Sequence, residues 1–228
     1  MNEVNKSAEI DAYINDDIIP RYALFDAAHK EDHAHTVINQ AMSLLEGMKK
    51  WLSEQTDPSE EWLVSIDSNI LKVAAACHDL GLINGRDRHH LDSGTIIRND
   101  ITLQKWFNAE EIETIAQAAE DHRASGTAEP RSIYGKIVAE ADRVIEKETI
   151  IRRTIQFGQK HYPTLNAEGH TERAVSHLKE KYGRGGYLKL WIPWSDNAER
   201  LNNLQDLIAD EDALRVVVKE IQNRTNHK

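Results

Sequence analysis

Residues 74–83 read AAACHDLGLI. Alanines, leucines and an isoleucine suit the inside of a helical protein, yet His78 and Asp79 stand side by side among them. A buried carboxylate is costly unless it is paired, hydrogen-bonded or bound to a metal. The doublet therefore predicts either a polar partner inside the protein or a helix end turned toward a functional cleft. Around it, residues 65–80 carry apolar side chains at three- and four-residue spacing, the period of a buried helix face.

The same period recurs outward along the chain. It predicts helices over 39–48, 133–153, 167–181 and 198–223. Asn108 followed by Glu111 reads as a capping box opening a further helix, NAEEIETIAQAAEDH. Breakers fall between these segments, at Asn84-Gly85, at Ala124-Ser125-Gly126-Thr127 and at Gly183–Gly186. The only stretch that reads as a short strand is YLKLWI, 187–192. The fold class expected is all-α.

Bulk properties narrow the function. The 228 residues suffice for a substantial core, and with 40% hydrophobic and 29% charged residues the composition is that of a soluble globular chain. A net charge of -10 argues against coating a nucleic-acid polymer or adhering to an anionic membrane. No apolar run approaches the roughly 20 residues needed to cross a bilayer. MNEVNKSAEIDAY lacks the basic and apolar regions of a signal peptide, and Cys77 is the only cysteine, so a reduced, cytoplasmic protein is expected. Cys77 beside His78 is read as core packing rather than as a thiol dyad, because adjacent helical positions point about 100° apart.

The eleven histidines cluster near carboxylates. His29, His33 and His35 share AAHKEDHAHTV; His89 and His90 lie in RDRHHLDSG; His122 lies in EDHRASG. Asp142, in IVAEADRVI, repeats the puzzle of Asp79. A divalent metal answers both puzzles, since imidazole nitrogens and carboxylate oxygens together suit zinc, manganese, iron or nickel.

The order His33, then His78-Asp79, then Asp142 resembles the HD superfamily of metal-dependent phosphohydrolases. HAHTV is similar to that family's first-helix histidine motif and CHDLGL to its doublet at a helix end. HRASG followed by IYGKIVAEADRV is similar to its His-Arg segment and to the Ala-Asp-Arg helix that carries the last ligand. The resemblance covers about 20–150 and implies a helical bundle, with the residues from about 160 to 228 as a helical extension packed on it in a single domain. It implies that His33, His78, Asp79 and Asp142 bind one divalent ion, with manganese, nickel, zinc, iron and magnesium the candidates. In two-metal subgroups, histidines between the doublet and the last aspartate hold a second ion, which points to His90 and His122; His89, on a neighbouring face, is read as structural or as a support to the ligands. The chain departs from the HD-GYP cyclic-dinucleotide phosphodiesterases: no GYP follows His122, and Leu82 stands where they have lysine.

The activity implied is attack by a metal-bound hydroxide on a phosphoester or phosphoanhydride of a small metabolite, nucleotides first. Asp79 would carry the centre. Cations for the phosphate are sought among Lys30, Arg86, Arg88, Arg123 and Arg143, with Arg86 and Arg123 leading; His29 would donate a proton or orient the leaving group. Two rival readings are a di-iron oxygenase and a non-catalytic metal- and nucleotide-binding module. A homodimer is compatible with such a domain, although no heptad run declares one. YGRGGYLKLWIPWSDN reads as an anchor whose tryptophans are buried, in preference to a lid over a nucleobase.

Overall fold

The computed structural model describes residues 3–25, 30–123 and 128–226. The described residues are helices joined by turns, and no strand occurs among them, 187–192 included. In chain order the helices are α1 (Glu3–Tyr13), α2 (Glu31–Glu54), α3 (Ser68–Cys77), α4 (His89–Arg98), α5 (Ala109–Glu120), α6 (Ile133–Ala141), α7 (Lys147–His161), α8 (Ala167–Tyr182), α9 (Asn197–Ala209) and α10 (Glu211–Asn226). No helix is long and apolar enough among the described residues to cross a membrane.

The chain forms two compact units. One holds residues 1–143 and 191–195; the other holds 144–190 and 196–228. In the first unit α3 is the central element, with α2, α5 and α6 packed around it. Leu71, Val73, Ala74, Ala75 and Ala76 are fully buried. Three successive alanines leave room for helices on several sides, so the neighbouring backbones approach closely around the residues that follow. Tyr22 donates its hydroxyl proton to the Ala76 carbonyl at 2.7 Å, satisfying a carbonyl at the α3 terminus that has no partner within the helix.

Where helices stop depends on polar residues more than on the apolar period. The capping box at Asn108 is present, its side chain accepting from the amides of Glu110 and Glu111. The segment 133–153 is two helices: α6 ends with Asp142 as its C-cap, and Glu146 starts α7 by accepting from the amides of Glu148 and Thr149. The segment 198–223 also divides. Asp210 leaves the helical conformation (φ -93°, ψ 92°), and its carboxylate accepts from the Ala213 amide. Apolar residues keep the same spacing across each break, so periodicity alone joins what the carboxylates separate.

Trp194 is anchored within the first unit. Its indole N–H donates to the Leu44 carbonyl at 2.8 Å, and its ring lies 5.2 Å from Trp51 and 5.1 Å from Trp62. In the second unit Arg184 pairs with Asp206, and the Lys189 ammonium donates to the Gly186 carbonyl. Trp194 thus serves burial, and its ring is already packed against two others.

Candidate metal centre

The doublet sits where α3 gives way to a tighter turn. His78 caps the helix and keeps helical angles; Asp79 moves to φ -107°, ψ 5°, a region where many active-site residues sit. The Asp79 amide faces the Tyr22 hydroxyl at 3.4 Å. The turn that follows, Leu80–Asn84, is closed by Gly85, whose φ of 101° is the left-handed region that suits glycine.

Asp79 is the hinge of the cluster. One carboxylate oxygen, Oδ2, lies 3.3 Å from His78 Nε2 and 3.5 Å from His33 Nε2. Asp142 Oδ1 joins that set, 3.3 Å from His33 Nε2 and 3.8 Å from His78 Nε2. The other oxygen, Oδ1, lies 3.4 Å from both His89 Nε2 and His122 Nε2. Each pair of rings brings its nitrogens to 3.2 Å, His33 against His78 and His89 against His122. His78, Asp79 and His122 are buried, while His33 and Asp142 stay partly open to solvent.

These donors fit a metal ion. Nitrogens and oxygens held about 2.0–2.2 Å from one zinc-sized ion lie about 3.0–3.6 Å from each other. The ring orientations agree. Nδ1 of His78, His122 and His89 meets the carbonyl of Ala75, Ala119 and Arg86 respectively, so each ring donates its Nδ1 proton to backbone and turns Nε2 inward as an acceptor. Acceptors then face acceptors around both oxygens of Asp79, an arrangement that needs a cation in its midst.

Without a metal, protons take that role. Burial works to lower the His33 pKa, but Asp142 and Asp79 outweigh it and raise it to about 9. His122 is likewise raised, Asp79 overcoming the effect of burial, whereas burial lowers His89. Burial pushes both aspartates up, yet the imidazoles prevail and hold Asp79 and Asp142 well below the usual carboxylate range. Metal uptake must therefore displace a proton from His33. Chelator-stripped protein titrated with Zn²⁺ at about pH 7.5 should release about one proton from His33. Below pH 9 the His33 proton opposes binding, so apparent affinity should weaken by up to about tenfold for each pH unit lost. Calorimetry in buffers of different ionisation enthalpy checks both; pH-independent affinity between 6 and 9 would contradict the assignment.

The sequence-chosen residues divide. His33, His78, Asp79, Asp142 and His122 meet in the cluster. His90 does not, and His89 takes its place. His90 turns to Arg123, whose Nη1 lies 3.5 Å from its Nδ1, and burial followed by the Arg123 charge lowers its pKa to about 4. Two adjacent helical residues cannot face the same point, and the Arg86 carbonyl orients His89. Arg123 also donates to the Asp87 carbonyl. Lys30, Arg86 and Arg88 are exposed, and Arg143 is buried beside Asp142. His29 lies outside the described residues. Cys77 is buried, which pushes its thiol pKa up and suits packing.

Residues 31–146, just over half of the chain, match the family model described as HD domain. The chain belongs to the HD domain family. The HD domain match runs from the start of α2 past Asp142, so it takes in all six cluster residues. No curated protein and no solved structure matches this HD domain protein. Two cavities, about 380 Å³ beside Trp62 and about 480 Å³ beside Phe107, share no residue with the cluster.

Proposed function

We propose that this HD domain protein is a metal-dependent phosphohydrolase that cleaves a phosphoester or phosphoanhydride of a small metabolite, with nucleotides the first class to test. The observation that carries the reading is the donor set around Asp79, each of its oxygens facing two imidazole nitrogens at 3.3–3.5 Å. His33, His78, Asp79 and Asp142 would hold one ion; Asp79, His89 and His122 would hold a second. A divalent ion there supplies a nucleophile at neutral pH by lowering the pKa of water and polarises a phosphoryl oxygen.

The chain's own residues do the rest. The Ala75, Ala119 and Arg86 carbonyls keep three rings in one tautomer, so nothing has to reorganise before a substrate arrives. Asp142 and His33 line the more open side, where a phosphate has access. Arg123, steadied by the Asp87 carbonyl and His90, offers a guanidinium near that donor set, and Arg86 adds an exposed one; fixed cations are what phosphoryl transfer requires.

The test is release of phosphate or pyrophosphate from a panel of nucleotides and simple phosphoesters, with Mn²⁺, Ni²⁺, Zn²⁺, Fe²⁺ or Mg²⁺ added to stripped protein. Metal-dependent release supports the reading. Two bound irons with oxygen uptake and no phosphate release would move it to oxygenase chemistry, and tight nucleotide binding without turnover would make the protein a binding module.

A further inference from the structure

A second polar network joins α4, α5 and a residue just before α6. Glu120, at the end of α5, is one-tenth exposed and engages both carboxylate oxygens. Arg98 of α4 donates to Oε1 at 2.5 Å, and Arg131, just before α6, donates to Oε2 at 2.6 Å. Arg98 also grips Glu113, two turns back on α5, through two bonds of 2.7 and 2.8 Å. Arg131 binds Asp121 with both its backbone amide and its Nε.

The network sits at the crossing of α4 and α5. Gly94 lies directly against the Glu120 side chain, inside the distance at which a Cβ would collide with it. Glu120 is held at both oxygens and cannot swing away, so the helices meet here at one fixed separation. From this crossing His122 is two residues past the end of α5, and His89 is five residues back along α4. Those two histidines meet at 3.2 Å over Asp79 Oδ1.

The geometry points to Glu120 as a positioning residue: the Arg98–Glu120–Arg131 chain sets the register of α4 on α5 that brings His89 and His122 together on Asp79. This rests on the two-set reading of the cluster. His33, His78 and Asp142 come from α2, α3 and the end of α6, outside the α4–α5 crossing. Disturbing Glu120 therefore acts on one donor set and spares the other.

The experiment compares the full chain with Glu120→Gln, which keeps the shape but loses the charge and one acceptor. Stripped protein is titrated with Zn²⁺ by calorimetry, and the histidine ring ¹⁵N signals of the stripped protein are recorded. In Glu120→Gln the second metal equivalent should weaken by about tenfold or more while the first stays within about threefold. The His89 and His122 ring signals should move, and those of His33 and His78 should not. Glu113→Gln, which removes a surface partner of Arg98, should match the parent. Should Glu120→Gln not fold, Arg131→Gln, altering a half-exposed side chain, carries the same expectation.

Two equivalents at parental affinity in Glu120→Gln, or equal weakening of both with a general loss of melting temperature, would overturn the assignment. A parent that takes up only one equivalent sinks the two-set reading instead. The ring signals still decide the positioning role in that case: moved His89 and His122 signals uphold it, and unmoved ones end it.

Discussion

Asp79→Asn is expected to strip both donor sets and abolish turnover, with phosphate release falling by more than about 10²-fold, beyond the 10–100-fold typical of residues that only support a ligand. The change is small in volume, so folding is not its main casualty. Its effect is electronic. An amide replaces one oxygen with a donor, and that donor meets imidazole nitrogens that are acceptors on whichever side it takes. The remaining oxygen carries little charge, so the cluster loses the group that both sets share. Asp142→Asn touches only the set containing His33 and His78 and should spare the metal held by His89 and His122. Metal content per chain, measured beside phosphate release, separates the two variants. A full complement of metal in Asp79→Asn would remove the basis of the proposed function.

Gly81→Ala should be strongly damaging, since among the described glycines a Cβ there comes nearest to fixed backbone. Gly81 is buried in the turn after the doublet, and its amide donates to the Ser93 hydroxyl at 2.9 Å. A Cβ there would fall on the His89 carbonyl and 2.6 Å from the Ser93 amide, both backbone atoms in the opening turns of α4. Neither can rotate aside, so α4 must shift bodily, and His89 starts that helix. Overpacking of this kind costs about 1–3 kcal/mol. The expected result is a lower denaturant midpoint together with weakened binding by the His89–His122 set. Unchanged stability and metal stoichiometry would mean that α4 is far more yielding than its contacts with Gly81 imply.

Much of this molecule is legible in its residues. Apolar spacing locates most of the helices, though not α1 or α4; Asn108 and Glu111 announce the start of α5, and the doublet in AAACHDLGLI marks the centre because a carboxylate among alanines needs an explanation. The resemblance carried by His33, His78-Asp79 and Asp142 extends to a family match over residues 31–146. The helix breaks after Asp142 and at Asp210 are less visible, because apolar periodicity runs through both and only the capping carboxylates of Glu146 and Asp210 mark them.

What the sequence alone determined is which chemical groups are present and in what order: short-range capping, helical period and residue type are local properties. The choice between His89 and His90 was not among them. Both are imidazoles one residue apart in RDRHHLDSG, and the family resemblance pointed to His90. The tertiary structure decides by starting α4 at His89, by locking its Nδ1 to the Arg86 carbonyl, and by giving His90 to Arg123. The same holds for the two faces of Asp79. That one carboxylate serves two donor sets follows from four helices converging on it, and convergence of segments distant in the chain is a property of packing.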